Sequence, residues 1–227
     1  MRLDHLSYAA GPDGLGATAQ RLGSALGAGF RDGGLHPRFG TRNFVLPLAN
    51  GVYLEVVAAL DHPAADKAPF GQAVKARTEA GGGWLAWVVA VDDLAPIEQR
   101  LGRSAVDDIA PVEARLGRVA VEGHRRRPDG VDLTWRQMGV LDLLDDPALP
   151  FFIQWLGDPA LHPAVAPDQA QAPGITEVEI CGDARKVGDW LGEPVARAEF
   201  QIDWVDNGEP GLAAVHFSTE RGVIRID

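Results

Sequence analysis

The 227 residues carry 21 Lys and Arg against 32 Asp and Glu, a formal net charge of −11, with 46% hydrophobic and 23% charged residues. This is globular composition in a length that supports one to two domains around a substantial core. The acidic balance argues against a nucleic-acid backbone or an anionic membrane as partner, and the single cysteine, Cys181, excludes an intramolecular disulfide and a Cys-rich zinc site. No apolar run approaches the roughly 18 residues of a membrane span. The N-terminal MRLDHLSYAAGPDG lacks the long apolar segment of a secretory signal, so a cytoplasmic protein is expected.

One local plan recurs three times along the chain: an apolar strand, a turn with Asp, then a short amphipathic helix ending in Leu-Gly. The first unit opens with a strand over 3–10 and a helix through Leu22 and Leu26 to Gly27. Strands follow at 43–48 and 52–58, joined by turn residues from Pro47 to Gly51. Residues 61–80 read as a linker and a short helix. The second unit places strands at 84–91, 118–123, 131–137 and 151–155, with a helix to Leu101-Gly102 and a Pro128-Asp129-Gly130 turn. The third places strands at 175–181, 198–205, 213–218 and 223–226, with a helix to Leu191-Gly192. In each unit the Asp is expected to cap the helix start and the Gly to end it in a left-handed conformation.

A second repeat is nested in the middle unit. Residues 91–106 read VDDLAPIEQRLGRSAV and 106–121 read VDDIAPVEARLGRVAV, with twelve of sixteen positions identical. A local tandem duplication that adds a helix beside the sheet accounts for this, and a functional lid is the alternative. The Pro-rich stretch 157–174 reads as a connector. The expected organisation is a first module over 1–80, a second over 81–157, a connector over 158–173 and an appended half-module over 174–227.

Four segments carry a resemblance to a known family. They are Leu3-Asp4-His5-Leu6-Ser7-Tyr8; His36-Pro37-Arg38-Phe39-Gly40-Thr41-Arg42-Asn43 with Gly51 to Val57; Arg127 to Arg136; and Leu149-Pro150-Phe151-Phe152-Ile153-Gln154-Trp155. Their order and spacing resemble the glyoxalase-like branch of the vicinal oxygen chelate superfamily over roughly residues 2–165. The resemblance implies an α+β fold in which paired βαβββ modules form curled mixed sheets around a cavity, here with the C-terminal half-module added. The sequence is equally compatible with modules pairing within one chain or across a homodimer.

The resemblance also implies metal ligands on the first and last strands of each module. Carried over by position, these are His5 and Glu55 from the first module and Ala86 and Gln154 from the second, a methyl and an amide standing where the family has ligands. His5, Glu55 and Gln154 form the candidate metal set, for Zn, Fe, Ni or Mn, since a catalytic metal needs about three protein ligands and an open position. The alternative is a buried, hydrogen-bonded His5–Glu55 pair, because an unpartnered buried carboxylate is costly. Without a metal, Glu55 is the candidate general base.

The remaining candidates for ligand binding are His36, Asn43, Tyr53, Arg127 and Trp135. His36 and Asn43 flank a turn at Gly40 that can aim them at the cavity mouth, although a turn-holding role is the commoner use of Asn43. Tyr53 is two before Glu55 and shares its face, whereas Tyr8, three after His5, points away. Of Arg125-Arg126-Arg127, the last abuts the Pro-Asp-Gly turn and is expected to meet a carboxylate-bearing ligand. A nucleophile-elbow serine and a dinucleotide fingerprint are both absent. Two functional readings stand: a module that binds a small molecule, and a metal-dependent lyase, isomerase or dioxygenase acting on vicinal oxygens. The departures at Ala86 and Gln154 argue against glyoxalase I activity. The appended half-module is read as a dimerisation element or a cap on the cavity.

Overall fold

The computed structural model describes residues 1–107, 118–165, 172–192, 200–206 and 208–227. In chain order the first module consists of β1 (Arg2–Ala9), α1 (Leu15–Leu26), β2 (Arg31–His36), β3 (Thr41–Pro47) and β4 (Tyr53–Ala59). Helices α2 (Pro63–Lys67) and α3 (Pro69–Glu79) lead to β5 (Gly83–Ala90), α4 (Ala95–Asp107), β6 (Val121–Arg126), β7 (Asp132–Met138), α5 (Val140–Asp145) and β8 (Phe151–Leu156). The C-terminal segment adds β9 (Gly174–Cys181), α6 (Ala184–Leu191), β10 (Gln201–Val205), β11 (Gly211–Thr219) and β12 (Gly222–Ile226).

The two modules close on each other within one chain as an eight-stranded barrel, in the order β1-β4-β3-β2-β6-β7-β8-β5. Each contributes the same half, its first strand parallel to its last: His5 lies beside Tyr53 and Ser7 beside Glu55, as Val88 lies beside Phe151 and Ala90 beside Ile153. The antiparallel pairing of β1 with β5 closes one seam, and β2 meets β6 at Leu35 and Arg126 to close the other. Strand β2 and helix α5 are not in the sequence reading. The former is Gly-rich (Arg31-Asp32-Gly33-Gly34) and carries little strand propensity of its own, so its pairing comes from its neighbours.

Alternation along the strands separates two apolar regions. Leu6, Leu54, Trp87 and Phe152 face outward and pack with α1, α4, α6 and the C-terminal sheet. Ala86, Val88, Trp135, Phe151 and Ile153 face inward, with Phe39 and Phe70 from the β2–β3 turn and α3. Of the expected Asp caps, Asp183 accepts from the Arg185 and Lys186 amides at the start of α6. At α1 the N-cap is Gly14, and Asp13 instead accepts from the Thr18 hydroxyl. Helices α1 and α6 do end in left-handed Gly27 and Gly192.

The C-terminal segment has the βαβββ element order but its own strand order, β10-β9-β11-β12. It lies on the outer wall of the barrel, not across an opening: Trp84 stacks on Phe217 and donates to the Ile226 carbonyl at 3.0 Å. Most of the second copy of the 15-residue repeat lies outside the described residues. No described helix is long and apolar enough to cross a membrane.

Candidate functional site

The first module supplies the polar half of the barrel interior. His5 and Ser7 on β1, Glu55 on β4, Asn43 on β3 and His36 on β2 are all buried. Glu55 is held from two sides: Ser7 Oγ donates to its Oε2 at 2.7 Å and Asn43 Nδ2 donates to its Oε1 at 2.6 Å. His5 Nε2 faces the same carboxylate, 3.9 Å from Oε2, and the His5 ring stacks on Tyr53 with centroids 4.5 Å apart.

Behind His5 stands a carboxylate that the sequence reading did not include. Strand β1 takes an extra residue between Leu3 and His5 relative to β5, a bulge that turns Asp4 inward next to His5 instead of outward. Fully buried, Asp4 accepts from His5 Nδ1 at 2.7 Å, Trp155 Nε1 at 3.0 Å and His162 Nε2 at 3.1 Å. An ionised carboxylate only accepts, so His5 Nδ1 carries a proton, and Nε2 is the ring nitrogen that faces Glu55.

Burial alone would raise the Asp4 pKa, but the hydrogen bonds and charges of His162 and His5 outweigh it and hold the carboxyl well below the usual range. Glu55 is lowered too: burial opposes ionisation, and the imidazoles of His5 and His36 and the bonds from Ser7 and Asn43 overcome it. Burial drives His36 the other way, down to about 3, with Arg125 among the groups reinforcing it. His36 is therefore a neutral ring at physiological pH, bonded through Nδ1 to Thr41 Oγ1 at 2.9 Å.

The second module supplies an apolar wall with two polar insertions. Trp135 lies edge-on to His36, and its Nε1 donates to Gln137 Oε1 at 2.7 Å. Gly123, directly opposite Trp135 across β6 and β7, leaves room for the indole: a Cβ there would fall 2.4 Å from the ring. Arg125 enters from β6 and donates through Nη1 to Asn43 Oδ1 at 3.4 Å. The enclosed space is about 30 Å³, room for one or two water-sized groups. Phe39 and Phe70 stand at one side of it, and Trp155 separates it from an outer groove of about 490 Å³ along residues 157–165.

His5, Glu55, His36, Asn43, Tyr53 and Trp135 are thus brought together, whereas Gln154 and Arg127 are not. Gln154 lies on the outer face of β8, its Nε2 donating to the Asp92 carbonyl at 2.9 Å, while Ile153 and Trp155 take the inward positions. The positional carry-over onto Gln154 is out of phase with the strand. Arg127 lies past the end of β6 and pairs with Asp129 at 2.6 Å; the inward arginine is Arg125.

This donor set does not fit a resident catalytic metal. His5 and Glu55 offer two ligands, and where further ones would face them the second module presents Ala86, Val88, Phe151 and Ile153. Among the described residues no group of three His, Cys, Asp or Glu is placed to hold an ion. Sequence reasoning missed Asp4, Ser7, Arg125, Gln137 and His162. Ser7 was within reach, being two residues after His5 and so on its face.

The model of the glyoxalase-like domain family matches residues 3–195. No curated protein matches the sequence. Among solved structures, a hypothetical protein from Staphylococcus aureus superposes with a TM-score of 0.60 at 18% identity, covering 100% of this chain and 85% of that one. Methylmalonyl-CoA epimerase from Mycobacterium tuberculosis gives 0.42 at 16% identity, over 70% of this chain and 90% of that one. The Streptomyces coelicolor methylmalonyl-CoA epimerase, solved with 2-nitronate-propionyl-CoA, gives 0.38 at 15% identity, over 68% and 93%. Paired βαβββ halves closing on a polar interior, with the family model spanning both of them, make this chain a member of the glyoxalase-like domain family.

Proposed function

We propose that this protein binds a small molecule at the barrel interior through a hydrogen-bond donor of the ligand placed between His5 and Glu55, without a resident metal. One observation carries the reading: His5 Nε2 and Glu55 Oε2 face each other 3.9 Å apart across the interior, His5 held from behind by Asp4 and Glu55 by Ser7 and Asn43. That gap is too long for a direct hydrogen bond, and a ligand hydroxyl or amine between the two groups can donate to Glu55 while bonding His5 Nε2. Ligand sites are mostly apolar with a few placed polar groups, and the aromatic wall of the second module supplies the apolar part. Where the ligand presents an acidic proton, Glu55, ionised and oriented, is the base that accepts it. The interior takes only the head group, so the rest of the ligand extends past its lining side chains.

The test is a screen of small hydroxy, keto and amino compounds in EDTA, read by the fluorescence of Trp135 and Trp155 at the cavity wall. Compounds that quench the wild type are expected to lose at least about tenfold in affinity in Glu55→Gln and His5→Gln, in line with one charge-assisted hydrogen bond. Binding that appears only after Zn, Ni, Mn or Fe(II) is added, or that both variants retain in full, would overturn the reading.

A further inference from the structure

Arg125 is a charged group of the barrel interior that the reading above leaves without a task. The residue is 3% exposed, and burying a full positive charge is unfavourable unless an anion meets it. Among the described residues it has no carboxylate within ion-pair distance. Its single hydrogen bond runs from Nη1 to the Asn43 amide oxygen, at 3.4 Å. Its Nε is buried with no partner. The Nε–Nη2 edge, the side of a guanidinium that takes a carboxylate in two parallel hydrogen bonds, is therefore unused.

The surroundings of Arg125 point the same way. It borders both the interior and an outer groove of about 300 Å³, which Arg31 and Arg127 also line. The two carboxylates of that groove are already paired, Asp32 with Arg42 and Asp129 with Arg127. The crowding of like charge shows in Arg31, whose pKa is lowered by burial and by its neighbours Arg127 and Arg125. A chain of net charge −11 repels anions as a whole, so three arginines gathered at one groove form a local exception. The backbone leaves room for the arrangement, because a Cβ on Gly33 would fall 2.1 Å from Asn43 Oδ1 and 3.1 Å from Arg125 Nη1. On the inner side, the ionised Glu55 is bonded to the same Asn43 and repels a second anion, so the anion belongs in the groove.

We infer that the ligand of this site is a carboxylic acid whose carboxylate sits in the groove on the Nε–Nη2 edge of Arg125, one amide side chain away from Glu55. The inference rests on the interior being a ligand site and adds the chemical class. Asn43 then has a defined position, donating to Glu55 on one side and accepting from Arg125 on the other.

The experiment titrates the whole protein with benzoate, its neutral isostere benzamide, and inorganic phosphate. Two readouts are followed: the ¹⁵Nε–¹H resonance of Arg125, and Trp fluorescence from the interior. Benzoate is expected to shift the Arg125 resonance saturably and to bind at least about tenfold more tightly than benzamide. The preference disappears in Arg125→Gln and is partly restored in Arg125→Lys, which keeps the charge and loses the fork. Equal binding of benzoate and benzamide to the wild type, or a preference retained by a folded Arg125→Gln, overturns the inference. Should the Gln variant not fold, an undiminished preference in Arg125→Lys overturns it equally. Phosphate binding in an Arg125-dependent manner and more tightly than benzoate assigns the groove to phosphate and refutes the carboxylate. Benzoate that shifts Arg125 without touching Trp fluorescence removes the interior reading and leaves the anion site. Quenching by benzamide as strong as by benzoate, with Arg125→Gln inert, does the reverse.

Discussion

Asp4 offers the sharpest test of how the barrel interior is built. Its carboxylate is wholly buried and receives three donors at 2.7–3.1 Å, from His5, Trp155 and His162. Asp4→Ala leaves all three facing a void. Removing one partner of a buried charged cluster costs about 3–5 kcal/mol, and in a chain of this length each kcal/mol moves Tm by about 2–4 °C, so the midpoint should fall by roughly 6–20 °C. Asp4→Asn keeps one acceptor oxygen for Trp155 and His162 and turns an NH2 toward His5, which can accept it by changing tautomer. Its cost should be nearer one charge-assisted bond, about 1.5–3 kcal/mol.

The pH dependence follows from the sign of the shift. Because the folded pKa of Asp4 lies below that of an unfolded Asp, its contribution is complete above about pH 5 and is lost as pH falls below about 4. The gap between wild type and Asp4→Asn is therefore flat at neutral pH and narrows in acid. Urea unfolding from pH 2 to pH 8 measures both variants. An Asp4→Ala protein within about 0.5 kcal/mol of wild type at pH 7, inside the range of ordinary surface substitutions, would refute the reasoning.

Three further outcomes are expected. His36, lowered to about 3 by burial, should show no titration of its ring protons above about pH 4 in an NMR series; since its folded pKa is depressed, stability falls as pH drops from about 6.5 toward that value. A midpoint near 6 contradicts this. Gly123→Ala places a Cβ 2.4 Å from the Trp135 ring, so the indole must move and its bond to Gln137 break, at about 1–3 kcal/mol; an unchanged near-UV spectrum and stability would count against the placement of Trp135. Gln154→Ala loses only outer-face bonds to Asp92 and Leu94 and should cost about 1 kcal/mol or less, with ligand affinity within about twofold of wild type. A tenfold loss of affinity would put Gln154 back in the site.

Much of this site follows from alternation along single strands, which is a local property of the sequence. His5 and Glu55 face inward on their strands, Tyr53 shares the face of Glu55, and Tyr8 packs outside against Trp84. The strand–helix–strand–strand–strand order was legible for the same reason: apolar periodicity and the Leu-Gly helix ends depend only on near neighbours. The strand β2 was not, because its Gly-rich stretch is held in the barrel by β3 and β6 and not by its own propensity.

What tertiary structure alone decided are the relations between distant strands. The bulge at Asp4 exists only in the register of β1 against β5, and it turns an outward residue into the hub of the interior. His162 reaches that hub from 158 residues away, and Arg125 reaches Asn43 across 82. The parity of Gln154 depended on the pairing of β8 with β5 and β7, which motif spacing cannot supply. Alternation says which side chains share a face; the closure of the barrel fixes which faces meet, because that depends on contacts between residues far apart in the chain.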